Sequence, residues 1–147
     1  MWTFLVQTHG DPLPALTRVV LGTVMFPHGA QHLLGWFGGY GYRRTMDYFA
    51  SLGIPPLFGT LAILAEFFGS LALVLGLGGR VAALGILTVM AVAAVRVHLR
   101  HGFFMNWVGA QSGEGFEYHV LVAAMAALVI VQGSGLWSLD RWIAAAR

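Results

Sequence analysis

Four stretches of this 147-residue chain, residues 19–37, 57–77, 81–99 and 118–137, each approach the run of about 20 mostly apolar residues that a helix needs to cross a bilayer. Nothing else in the sequence limits the fold so strongly. The chain is 58% hydrophobic and 10% charged, far outside the range of soluble domains. The expected fold is therefore all-α: a single domain over residues 1–147, an integral membrane four-helix bundle in up-down topology. Between the first two windows, "GGYGYRRTMDYFASLGIPP" has Gly and Pro ends around a short amphipathic helix expected at residues 42–52, lying in the interface. The tight turn "GLGGR" makes an antiparallel hairpin of the second and third windows. Trp36, Phe37, Tyr40, Tyr42, Phe103, Phe104, Trp107, Trp137 and Trp142 sit near span ends, where amphipathic rings favour the headgroup level.

Charge and composition exclude several functions. The formal charge of +2 comes from eight arginines against six carboxylates, scattered rather than gathered into a basic stripe, so nucleic acid is not an expected partner. With no cysteine the chain forms no disulfide and runs no dithiol exchange; redox work needs a cofactor or a partner. There is no phosphate-binding loop, dinucleotide glycine pattern or nucleophile elbow. The N-terminal "MWTFLVQTHGDPLPAL" lacks the basic start and cleavage site of a secretory signal and reads as an interfacial segment.

Up-down topology puts both termini and the "GLGGR" turn on one side and the two longer loops on the other. Arg18, Arg80, Arg141 and Arg147 then face Arg43, Arg44, Arg96 and Arg100. Setting aside Arg96 and Arg100, which fall inside or at the margin of an apolar window, the terminal side is the more basic and is expected to be cytoplasmic.

The depth of the polar residues carries most of the functional information. His28 lies at the centre of the first window and Glu66 beside the centre of the second, so both are expected near the bilayer midplane. His32 is one turn further toward the long loops, on the same face as His28. Arg96 is about 9 Å from the midplane on that side, and Glu117 and His119 begin the fourth helix there. The expected site is a polar half-cavity, open toward the long loops and floored by Glu66. Beyond Gln132, the other half offers little polarity. Ala62, Gly69 and Ser70 surround Glu66 on its helix face and mark close helix contact. Pro27 frees the Thr23 carbonyl beside His28.

Each of these residues also has a structural reading. Glu66 is either a ligand or proton site, or a hydrogen bond holding two helices together. The HxxxH spacing of His28 and His32 can direct two imidazoles at a metal or haem, but two ligands on one helix do not complete a site; a polar ligand pocket and a plain interhelical contact are the alternatives. Arg100 is expected to snorkel, Arg96 to turn inward as a counter-ion, and His98 and His101 to lie on another face as interfacial residues. The "GAQSGEGFE" loop reads as a flexible connector or the mouth of the site.

In order along the chain, "FPHGAQHLLGWFGG", "SLGIPP", "AEFFGSLALVLGLGGR", "HGFF", "FEYHVLVAAMA" and "GSGLWSLDRW" resemble the DoxX family of small four-helix membrane proteins, from about Arg18 to Trp142. One departure is that His32 stands where the family's first-helix motif usually has lysine. The resemblance implies a multi-pass protein of a prokaryotic cytoplasmic membrane, with some relatives linked to thiosulfate:quinone oxidoreductase systems and to oxidative-stress complexes. Carried over by residue, His28 and Gly29 match the first-helix motif, Glu66 and Glu117 the second- and fourth-helix acids, and Ser138 and Asp140 a C-terminal motif that caps the end of the fourth helix.

Three functions compete. The first is a subunit of a quinone-linked oxidoreductase, with His28, His32, Glu66 and Arg96 binding a quinone headgroup or conducting its protons, because quinone reduction needs two protons in a dry place. The chain is not expected to be catalytic alone; a partner complex or a homo-oligomer supplies the rest. The second is a non-catalytic membrane anchor or assembly subunit docking through its loops and "YGYRRTMDYF". The third is a small-solute transporter.

Overall fold

The computed structural model describes residues 6–8 and 10–146. Part of the expected interfacial N-terminal segment, and Arg147, lie outside them. The described residues form six α-helices and no strand: α1 (Pro12–Leu34), α2 (Gly41–Ser51), α3 (Pro56–Leu75), α4 (Gly79–Ala93), α5 (Glu117–Gln132) and α6 (Leu139–Ala145). α4 continues as a π-helical turn, Ala94–His98, and a 3-10 turn, Leu99–His101. Among the described residues two helices are long and apolar enough to cross a membrane, Pro56–Leu75 and Gly79–His101; Glu117–Gln132 is apolar but shorter.

α1 differs most from expectation. It starts well before residue 19, because the Asp11 carboxylate accepts the Leu13 N–H at 2.9 Å and Pro12 and Pro14 stand in the first turn, where proline loses no helical bond. It ends at Gly35, whose left-handed backbone closes the helix on Ala30 O, so Trp36 and Phe37 fall outside it. Arg18, a boundary charge by sequence, thus lies inside the helix and is 1% exposed.

The four long helices form a closed cycle of contacts, α1 on α3, α3 on α4, α4 on α5 and α5 on α1, with α1 and α3 the most extensive pair. Leu21, Met25, Leu73, Ile86, Met90, Val122 and Val129 fill the centre. Two glycines bring α1 against α3. A Cβ on Gly22 would stand 2.6 Å from Ser70 O, and one on Gly29 would stand 2.5 Å from Phe67 N. Small residues permit this approach between backbones. Of the small residues around Glu66, Ser70 meets α1, Gly69 faces Ile86 of α4, and Ala62 lines a cavity.

Arginine and aspartate organise the end of the molecule that carries the α3–α4 turn. Arg18 Nε donates to Ser134 O (2.7 Å), Nη1 to Leu73 O and Val74 O (2.7 and 2.6 Å), and Nη2 to Trp137 O (2.8 Å), so one guanidinium gathers the C-terminus of α3 and the chain leaving α5. Arg80 donates to Ile130 O and, at 3.0 Å, to Val131 O, and reaches Gln7 O at 3.1 Å. The Asp140 carboxylate accepts the N–H groups of Gly78 and Gly79 (2.7 and 3.0 Å) and the Ser134 hydroxyl (2.6 Å). Asp140 therefore caps the start of α4, while Ser138 caps α6 by accepting Arg141 N–H at 3.2 Å. Gln7, Thr8 and α6 all gather at this end, so the half expected to hold only Gln132 contains a buried polar cluster.

Candidate functional site

At the opposite end, the last turn of α1 meets the middle of α3. His32 Nδ1 and Glu66 Oε2 share a hydrogen bond of 2.5 Å, with the Glu66 side chain 7% exposed and that of His32 33%. Three local features produce the contact. Gly29, one turn before His32, presses α1 onto the Glu66–Phe67 backbone. Gly35 stops α1 just beyond His32. Phe49 of α2 packs edge-on against the imidazole, ring centroids 6.1 Å apart.

The early end of α1 also makes room. Glu66 stands ten residues into α3, about 15 Å along it, whereas α1 stops within about 3 Å of His32. α2 folds back over this gap, and beneath it lies a cavity of about 740 Å³. Tyr48, Phe49 and Leu52 form its roof; Phe58, Leu61, Ala62 and Ala65 of α3 face Val81, Leu84, Gly85 and Val92 of α4 across it. Besides the Tyr48 hydroxyl, its polar groups are His32, Glu66, Thr88, Arg96 and His98. With Nδ1 engaged by Glu66, Nε2 of His32 is the ring nitrogen left to bind a ligand.

Arg96 and His98 both border this cavity, but Arg96 is exposed and forms no ion pair among the described residues, so it is not the inward counter-ion expected; the stretch that carries both residues is π-helical. A π turn holds more residues per turn than an α turn, and such insertions recur at functional sites. The sequence pattern, read as α-helix throughout, puts His98 on another face as an interfacial residue. In the structure it is half-buried, borders the cavity, and its ring stacks on that of His119 at 4.2 Å, with Nδ1 2.8 Å from Glu114 O. His119 is 8% exposed, and its Nδ1 has no hydrogen-bond partner among the described residues. His101 is 3.2 Å from the Ser112 hydroxyl.

His28 and Glu117 do not line the cavity. His28 is exposed between α1 and α5, its ring 6.2 Å from that of Tyr118. Glu117 accepts the Met105 N–H at 3.1 Å and Glu114 that of Asn106 at 2.7 Å. With Asn106 and Gln111 exchanging two further bonds at 3.0 Å, these carboxylates tie the loop expected to be a flexible connector into a compact, internally bonded turn. Among the described residues no group of three or more His, Cys, Asp or Glu side chains is arranged to hold a metal ion.

Large apolar side chains such as Leu61, Phe68, Leu71, Val81, Leu84 and Val131 point outward, and the aromatic residues near the helix ends are exposed. An all-helical chain with such a surface, and with two helices long and apolar enough to span, has the make-up of a helical membrane protein. The sequence pattern of the DoxX family matches residues 13–99, more than half of the chain, and the protein belongs to that family. The matched stretch carries His28, His32, Glu66 and Arg96; Glu117, Ser138 and Asp140 lie beyond it. No curated protein and no solved structure matches the chain.

Proposed function

We propose that the protein is a membrane-spanning four-helix bundle of a prokaryotic cytoplasmic membrane, with cytoplasmic termini, serving as the membrane subunit of a quinone-linked oxidoreductase system. The observation that carries this reading is the His32–Glu66 pair, at the polar end of an otherwise apolar cavity of about 740 Å³. The lining suits a quinone: apolar walls for the ring, and nitrogen donors on His32 and Arg96 for carbonyl oxygens. A bound quinone supplies a two-electron acceptor whose reduction takes up two protons. His32 Nε2–H would donate to a carbonyl oxygen and orient the ring. Glu66, 5% exposed, engages the other nitrogen and would hold the imidazole in place, so the pair would deliver one proton at a time, the second following reprotonation of His32 from the aqueous side. The apolar lining and the α2 roof keep water from this exchange. Electrons come from a partner, since the chain has no cysteine and no nucleotide-binding motif.

The test is retention of quinone after extraction in a mild detergent, measured by chromatography per mole of protein. Wild type is expected to keep or take up close to one equivalent, and Glu66→Gln and His32→Phe to lose at least about tenfold in affinity, as for loss of a charged hydrogen bond. His32→Lys keeps a donor beside Glu66 and is expected to retain binding. A wild-type protein that binds no quinone, while Glu66→Leu still co-purifies with its partner, would replace this reading with the anchor.

A further inference from the structure

We infer that the ligand of this cavity carries a long apolar chain and enters sideways from the bilayer, through the seam between α3 and α4. The inference rests on the proposed headgroup site for its polar end and on the shape of the cavity for the rest. The cavity does not stop at Glu66. It follows α4 from Arg96 back to Val81, about 22 Å at the helical rise. Its floor along this path is narrow and made of small residues: a Cβ added to Gly85 would stand 3.3 Å from that of Ala65. The rims are large and turned outward, with Phe58 62%, Leu61 51%, Val81 56% and Leu84 55% exposed.

The result is a trough roofed toward the long-loop end by α2 and open along the apolar outer face of two helices that are each long enough to span a membrane. A water-borne solute meets the α2 roof, whereas a molecule dissolved in the hydrocarbon meets the open side. Occupancy by the apolar face of a second copy of this protein fits less well, because the trough runs without a break into a pocket holding a nearly fully buried acid, its imidazole partner and Arg96. A purely apolar occupant would desolvate those groups and offer them no hydrogen bond. The occupant is therefore an amphiphile: a hydrogen-bonding head at His32 and Glu66, and an isoprenoid or alkyl tail lying on Ala65 and Gly85.

The experiment compares a decyl-substituted benzoquinone with the same ring lacking the chain, both expressed per mole of detergent to correct for partitioning. It uses the intact chain and two trough variants at the end away from Arg96, Val81→Trp and Leu84→Trp. Both side chains are exposed on the outer rim, so the fold is expected to survive; circular dichroism and gel filtration check this. Wild type is expected to bind the chain-bearing quinone at least about 100-fold more tightly. In either variant that preference should fall at least about tenfold while the chainless ring binds as before. Equal binding of both quinones to wild type overturns the inference and leaves the headgroup site standing. Binding of neither overturns both. A wild-type dimer that the tryptophan variants convert to monomer, with quinone binding unchanged, also overturns it and makes the seam an interface between copies.

Discussion

Gly29 and Phe67 touch backbone to backbone: a Cβ on Gly29 would stand 2.5 Å from Phe67 N and 2.6 Å from its Cα. Neither atom can swing aside as a side-chain tip could. Gly29→Ala should push α1 off α3, lengthen the His32–Glu66 contact and cost about 1–3 kcal/mol, as overpacking of a close interface does. Gly85→Ala is the control, since its Cβ meets only that of Ala65 at 3.3 Å, and should change stability little. Thermal unfolding in detergent compares the two; equal melting temperatures would refute the assignment.

Arg18 is expected to be the most sensitive position at the terminal end. Its guanidinium is the shared donor to carbonyls of α3 and of the chain after α5, and Arg18→Met would leave a set of buried acceptors without one. A loss of at least about 3 kcal/mol is expected. Arg18→Lys keeps the charge but lacks the planar fork, so it should rescue only part of the loss in the same unfolding assay.

Asp140 should matter through α4 rather than α6. Asp140→Ala removes the acceptor for Gly78 and Gly79 N–H and for the Ser134 hydroxyl, with an expected cost of about 1–2 kcal/mol. Because Ser134 donates to the same carboxylate, Ser134→Ala and Asp140→Ala should be non-additive in a double-mutant cycle. Additive losses would mean that the two do not act together.

Orientation can be read directly because the chain has no cysteine of its own. With cytoplasmic termini, Ser112→Cys should react with an impermeant maleimide added to intact cells, or to spheroplasts where an outer wall intervenes. Ala146→Cys should react only after permeabilisation. The opposite pattern reverses the orientation, and labelling of both from one side rules out the single crossing expected between them.

Much of this architecture was legible in the sequence. Apolar windows at residues 57–77 and 81–99 mark α3 and α4 because a helix with this composition hides its backbone polarity wherever it sits. The "GLGGR" turn follows from glycine, with Gly76 and Gly78 both left-handed. The amphipathic helix expected at residues 42–52 appears as Gly41–Ser51. Glu66 stands out because a lone acid in such a helix must find a partner.

The identity of that partner was not legible, and the reason is the direction of each side chain. Depth matching pairs Glu66 with His28, and Gly29 does lie against the Glu66–Phe67 backbone; but the His28 ring is turned toward Tyr118 of α5, and the residue that meets Glu66 is His32, one turn later. Arg18 hides the true start of the helix, since a charge reads as a boundary unless its bonds to Ser134, 116 residues away, and to Leu73 are known. The π turn at Ala94–His98 leaves no mark in hydrophobic periodicity, and neither does the capping of α4 by Asp140. Hydrophobicity and turn chemistry are properties of short stretches, so the sequence alone determined which segments are helical and which polar residues are anomalous. How each helix is seated and turned against its neighbours depends on contacts between distant residues, Gly22 and Gly29 against α3 and Arg18 against the carbonyls of two other segments, and only the tertiary structure decided it.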